Sequence, residues 1–177
     1  SPFTWASGWN SPIYCDNRRL LSHPAIRTDV ADAFVSVIKS NYQAPVTIAG
    51  VATAGIPHAA LIADRLGMPM VYVRSKPKAH GMGRQIEGEL PAEQPVIVIE
   101  DLISTGGSSA QAVEALQGEG ANVIGLFAIF SYGFPQSVER FRNMQLPTHT
   151  LTNLDALMAE AIKMNYLSEA DLETLKA

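Results

Sequence analysis

Four short runs of this chain are apolar at nearly every position: Val46-Thr47-Ile48-Ala49, Met70-Val71-Tyr72-Val73, Val96-Ile97-Val98-Ile99 and Val123 to Phe130. A strand with one wet face alternates apolar and polar residues, whereas a strand covered on both faces reads as a continuous apolar run. Between these runs the period changes to that of a helix. Ile26, Val30, Ala33, Phe34, Val37 and Ile38 predict a helix over 24–41, with Pro24 where a first turn tolerates it. Gly50 to Gly55 reads as a loop, Ile56 to Leu66 as a helix ended by Gly67, and Ser108 to Gln117 as a helix with Gly118 and Gly120 beyond it. Two more helices are predicted near 153–164 and 168–176, the second with Ser168 and Asp171 spaced like a capping box. Buried strands alternating with helices satisfy both faces in one way, as a mostly parallel sheet flanked by helices. The chain is therefore of the α/β class, with right-handed crossovers and ligands at the carboxyl ends of the strands.

The 177 residues suit one domain, and no repeat, low-complexity tract or Pro/Gly/Ser linker divides them, so residues 1–177 are read as a single unit. Seventeen acidic against thirteen basic residues give a net charge of -4, which argues against nucleic acid and anionic membrane as partners. Residues Ser40 to Ala63 carry no charge, yet Asn41, Gln43, Pro45, Gly50, Gly55 and Pro57 break any membrane span there. No basic region followed by an apolar run opens the sequence, so a signal peptide is not expected. The single cysteine, Cys15, excludes an internal disulfide and a Cys-rich zinc site, and favours a reducing, cytoplasmic setting in which it is a small buried apolar residue. His23, His58 and His149 match no metal spacing and are read as satisfied or exposed structural side chains.

The chemistry concentrates in the segment from Val96 to Ser109. Four apolar residues bury a strand, Glu100 and Asp101 appear where it is expected to leave the sheet, and Leu102, Ile103, Ser104, Thr105, Gly106, Gly107 and Ser108 turn into a helix. Glycines let backbone N–H groups converge, and a helix N-terminus adds partial positive charge, so a phosphate can sit there without a basic side chain. Ionised carboxylates accept but do not donate, which suits the vicinal hydroxyls of a ribose whose 5-phosphate the turn holds. No G-x-x-x-x-G-K-[ST] occurs, and Gly118-x-Gly120 lacks the third glycine of a dinucleotide fingerprint, so neither triphosphate hydrolysis nor NAD chemistry is indicated.

A second feature is cationic. No acid lies between Asp64 and Glu87, while Arg65, Arg74, Lys76, Lys78 and Arg84 fall there with His80. The part over 74–86 lacks apolar periodicity and contains Pro77, Gly81 and Gly83, which predicts a loop at the end of a strand. Beside a phosphate turn such a loop reads as a lid that meets a second, highly charged anion and excludes water from a reactive sugar.

These segments resemble the type I phosphoribosyltransferases, and among them the orotate phosphoribosyltransferase family, over nearly the whole chain. Phe3-Thr4-Trp5-Ala6-Ser7-Gly8 with Ser11-Pro12-Ile13-Tyr14 is similar to the family's base-binding loop, Ala54-Gly55-Ile56-Pro57 to its pyrophosphate-side loop, Val73 to Gly81 to its catalytic lid, and Glu100 to Ser108 to its phosphoribosyl pyrophosphate signature. The resemblance implies the type I phosphoribosyltransferase fold with a small N-terminal hood built from about 1–20 and the C-terminal part. It implies a pentosyltransferase reaction in pyrimidine synthesis: orotate displaces pyrophosphate from 5-phosphoribosyl 1-diphosphate, giving orotidine 5-phosphate. It implies Mg²⁺ held mainly by substrate and water, with no protein metal site, and a homodimer in which the lid reaches the other subunit. By position, Lys78 and Asp101 would be catalytic. Arg74, Lys78 and His80 would contact pyrophosphate, Glu100 and Asp101 the ribose, and the turn from Ser104 to Ser108 the 5-phosphate, with Ser104 also near orotate and Leu102 and Ile103 among the substrate-binding residues. The chain departs from many members in having Ala6 and Ala54 where they have lysine, Ser75 at an often basic position, and Ser131-Tyr132-Gly133 where they place a base-binding arginine. Two alternatives share this ribose and phosphate machinery: a phosphoribosyltransferase for a purine or uracil, and a non-catalytic regulator that senses phosphoribosyl pyrophosphate.

Overall fold

In the computed structural model the described residues are 3–4, 10–11, 15–76, 85–91 and 94–166. Trp5, Ala6 and Tyr14, Lys78 and His80 of the expected lid, and the helix predicted over 168–176 lie outside them. Near the start, β1 (Phe3–Thr4) and β2 (Asn10–Ser11) form a two-stranded antiparallel ladder, with Phe3 opposite Ser11. A 3₁₀ turn, Asn17–Ser22, follows, its first amides met by the side chain of Asp16, which accepts from the Arg18 N–H.

The remaining elements are α1 (Pro24–Asn41), β3 (Thr47–Val51), α2 (Gly55–Leu66), β4 (Met70–Val73), β5 (Ile86–Glu87), β6 (Pro95–Ile103), α3 (Gly107–Gly118), β7 (Asn122–Ser131), α4 (Pro135–Asn143), β8 (Thr148–Asn153) and α5 (Leu154–Lys163). Six strands make one sheet in the order β5-β4-β3-β6-β7-β8, all parallel except the short β5 against β4. The mostly parallel sheet expected from the apolar runs is present.

The runs are apolar at successive positions because each face of the sheet has its own helical cover. On one side Phe34 and Ile38 of α1 and Ala59 and Ile62 of α2 pack on Ile48, Ile97, Ile99 and Phe127. On the other, Val113 and Leu116 of α3 and Phe141 of α4 pack on Val96, Val98, Leu126 and Ala128. Neighbouring β6 residues thus feed alternate cores, each buried aliphatic side chain contributing roughly 1.5 to 3 kcal/mol of transfer free energy. The uncharged stretch over 40–63 proves to be the end of α1, the buried strand β3 and the start of α2, and no helix among the described residues is long and apolar enough to cross a membrane.

Three differences from the sequence expectation have physical causes. The strand expected to end at Ile99 continues to Ile103, because β7 runs alongside and pairs Glu100 with Ala128, Leu102 with Phe130 and Ile103 with Ser131. The acid pair is therefore held within the ladder rather than beyond it. The strand expected over 46–49 is Thr47–Val51, so Gly50 belongs to the sheet, where α2 crosses close above it. Lastly, α4 and β8 were not anticipated. Thr148, Thr150 and Thr152 alternate with His149 and Leu151 on this edge strand, which gives it no continuous apolar signal.

Candidate active site

The site grows from the carboxyl ends of the two central strands, β3 and β6, which are direct parallel neighbours. Each passes through a tight turn into a helix, α2 from β3 and α3 from β6. Neither helix has a side-chain cap at its N-terminus, and neither has an acid in its first turn. The first amides of a helix have no intrahelical acceptor, so two sets of N–H donors and two partial positive charges meet at one edge of the sheet.

Two glycines make this geometry possible. A Cβ at Gly55 would lie 2.5 Å from the Ile99 carbonyl oxygen and 3.3 Å from Glu100 Cα, so only glycine lets α2 start directly against β6. Gly106 caps α3 in the left-handed region, φ +75°, where a Cβ would stand 2.7 Å from Cζ of Phe141. The first helical bond of α3 is from the Ala110 N–H to Gly106 O, at 3.0 Å.

Between the two helix starts lies the acid pair. Glu100 is 5% exposed. Its Oε1 accepts from the Asp101 N–H at 3.1 Å, and its Oε2 accepts from the Ser109 hydroxyl at 3.2 Å and the Ser108 hydroxyl at 3.4 Å. Burial, and next the charge of Asp101 beside it, push the Glu100 carboxyl well above its ordinary range. Asp101 is less covered and its backbone oxygen accepts from Asn17 Nδ2 at 2.7 Å, which ties the 3₁₀ turn to the end of β6. The two expected ribose contacts therefore differ: Asp101 is the more accessible, while Glu100 is braced against the first turn of α3.

The same corner gathers groups that sequence reasoning treated separately. Cys15 N–H donates to the Tyr132 hydroxyl at 2.9 Å, and the Cys15 thiol to Asn17 Oδ1 at 3.2 Å. The thiol is half-buried, and burial followed by the charges of Asp101 and Asp16 raises its pKa. Tyr132 stacks on Phe134 at 5.4 Å and meets Phe130 edge-on at 5.0 Å, so an aromatic surface stands at the end of β7. His149, read as structural, stacks on Phe127 at 4.6 Å. His58 departs from that reading: it is buried at 1% exposure, and neither ring nitrogen has a hydrogen-bond partner among the described residues.

The residues flanking the expected lid are also placed. Arg74 N–H donates to Gln85 O at 2.9 Å, Gln85 Nε2 returns a bond to Arg74 O at 2.7 Å, and the Arg74 guanidinium lies 3.3 Å from Glu87 Oε1. A cavity of about 40 Å³ joins Arg74, Ser75 and Gln85 to Ala52, Ser108 and Gln111, so the start of the cationic loop already borders the turn that opens α3. A larger groove of about 360 Å³ lies between α4 and β8, lined by Phe141, Leu146, Thr148 and Asn153 among others.

The acid pair and the two bare helix starts fall within residues 16–147, which match the family described as phosphoribosyl transferase domain, and that match sets the class of the fold and site. The chain is 53% identical to the orotate phosphoribosyltransferase of Cytophaga hutchinsonii over 98% of its length and 83% of that protein, and 53% identical to that of Bacillus subtilis over 99% and 81%. Among solved structures it is similar to orotate phosphoribosyltransferase from Aeropyrum pernix, with a TM-score of 0.82 and 30% identity over 94% of this chain and 92% of that one. Leishmania donovani UMP synthase gives a TM-score of 0.82 and 28% identity over 99% of this chain and 38% of that one. The chain belongs to the orotate phosphoribosyltransferase family.

Proposed function

We infer that the protein transfers the phosphoribosyl group of 5-phosphoribosyl 1-diphosphate to orotate, yielding orotidine 5-phosphate and diphosphate for de novo pyrimidine synthesis. The observation that carries this reading is the pair of uncapped helix starts on adjacent parallel strands, with Asp101 between them. A sugar with a phosphate at each end needs two anion sites flanking a hydroxyl-binding group. The Ser104–Ser108 turn takes the 5-phosphate, the Ala52–Gly55 turn and the lid take the pyrophosphate, and Asp101 takes the ribose.

Displacement at the anomeric carbon leaves an oxocarbenium-like sugar and an anionic leaving group. The protein accelerates it by fixing both ends of the substrate and by placing charge where charge develops. Asp101 lies next to the developing cation. Lys78 is the leading lid catalyst, and with Arg74 and His80 it neutralises the departing pyrophosphate. Glu100 supports the turn through Ser108 and Ser109 and completes the ribose contacts. The hard oxygens at the sugar, the Asp101 carboxylate and the Ser104 and Thr105 hydroxyls, fit contacts to the water shell of a substrate-bound Mg²⁺. When bound, that ion offsets pyrophosphate charge. The lid serves the second subunit of a homodimer, and the enzyme works in the cytoplasm.

The test mixes the protein with 5-phosphoribosyl 1-diphosphate, Mg²⁺ and each candidate base in turn, following base absorbance. Orotate is consumed and hypoxanthine and uracil are not. Turnover of hypoxanthine without orotate would overturn the reading.

A further inference from the structure

His58 presents a buried donor and a buried acceptor, neither of them bonded among the described residues. Both nitrogens are inaccessible and unpartnered among the described residues. A neutral imidazole always carries one N–H and one lone pair, and native interiors seldom leave such atoms unmet. Burial lowers the pKa of this ring, with the Asp101 charge acting in the opposite direction, so the neutral form is the one to consider.

The helix places the ring. Gly55, His58, Ala59 and Ile62 form the buried stripe of α2, at the spacing of one helical face. Gly55 presses that face onto β6 at Ile99 and Glu100. Helical side chains lean back toward the N-terminus, which directs His58 toward the turn that carries Gly55. Ile97 and Ile99 of β6 pack on the α2 face while Glu100 turns to Ser108 and Ser109 of α3, so the alternation of the strand assigns Asp101 to the side of the sheet that α2 covers. The backbone of Asp101 is fixed on both sides, its N–H by Glu100 and its oxygen by Asn17. Its carboxylate needs a comparable constraint to meet a sugar in one orientation.

We propose that His58 is a positioning residue for Asp101: when the sugar site is filled, a ring N–H of His58 bonds the Asp101 carboxylate, directly or through one water, and aims it at the ribose. The inference rests on the ribose role given to Asp101 above. It extends the site to α2, an element otherwise read as contributing only backbone.

The test separates this role from a structural one. His58→Leu removes both nitrogens at similar volume, and an apolar replacement for an unpaired buried polar group leaves stability unchanged or higher. A purely structural histidine would therefore be replaced without kinetic effect. The expected result is an unchanged or higher melting temperature with kcat for orotate lowered by about 10- to 100-fold, the scale of a misaligned catalytic group, and a smaller change in KM for 5-phosphoribosyl 1-diphosphate. His58→Gln, which keeps an N–H donor, restores much of the loss. Wild-type kcat in His58→Leu overturns the proposal. A readout free of variants decides the case where His58→Leu does not fold: in protein with ¹⁵N-labelled histidine, the His58 ring resonances shift on adding 5-phosphoribosyl 1-diphosphate with Mg²⁺. Unshifted resonances overturn the proposal. Wild-type protein that fails to consume orotate refutes the underlying reading, whereas orotate turnover in wild type and His58→Leu alike refutes the His58 role alone.

Discussion

Gly106 and Gly107 are adjacent, yet alanine at each has opposite consequences for folding. At Gly106 the backbone sits at φ +75°, which costs an L-residue about 1 to 2 kcal/mol. The added methyl would also stand 2.7 Å from Cζ and 3.1 Å from Cε2 of Phe141, a ring only 4% exposed and packed among Ile103, Val113 and Leu146. Forcing a methyl into such packing costs about 1 to 3 kcal/mol, so Gly106→Ala should destabilise by about 2 to 5 kcal/mol. At Gly107 the nearest atom to a new Cβ is Thr105 Oγ1 at 3.9 Å, and the residue already lies in a helix. Gly107→Ala should then stabilise by about 0.4 to 1 kcal/mol through the unfolded chain. Urea titrations followed by circular dichroism at constant m measure both. For a chain of this size each kcal/mol moves the melting temperature by roughly 2 to 4 °C. A Gly106→Ala protein as stable as wild type, or a Gly107→Ala protein as damaged as Gly106→Ala, would refute the reasoning.

Two further outcomes follow from the site. The Glu100 carboxyl titrates higher folded than unfolded, so its contribution to stability is complete below the ordinary value of 4.5 and is lost as pH rises through the folded value. Glu100→Gln acquires no charge, so its stability relative to wild type should improve as pH is raised from about 4.5, and parallel urea midpoints across that range would contradict the upward shift of the buried carboxyl. Lys78→Ala should lower turnover by about 10²-fold while moving folding stability by less than about 0.5 kcal/mol. If the lid serves the neighbouring subunit, mixing Lys78→Ala with Asp101→Ala recovers part of the activity, and no recovery on mixing argues for lids that stay at home.

The sheet was legible because its strands are buried twice over: Val96 to Ile99 feed both cores, and no other arrangement accommodates four such runs separated by helices. The helix over Pro24–Asn41 and the stop at Gly67 were legible from local chemistry alone, the period in one case and a left-handed C-cap in the other. What was hidden depended on partners. The extension of β6 through Ile103 is decided by pairing with β7, and β8 is decided by packing of His149 and Leu151 on one face only. Within the site, the order of strand, acid pair and glycine turn announced the phosphate end. The unequal fates of Glu100 and Asp101 could not be read, since they follow from where Ser108 and Ser109 fall once α3 is seated. His58 gave no sequence signal, because orphaned nitrogens are a property of surroundings rather than of spacing.

The paired bonds between Arg74 and Gln85 bring the cationic segment out of the sheet and back at a single point. Closing a loop is then already accomplished by β4 and β5, and doubling the length of chain between those ends adds only about 0.6 kcal/mol. The cost of that closure therefore falls on the two short strands and not on the core. By selection or by design, the length of chain between those ends can change while the sheet beneath registers almost nothing.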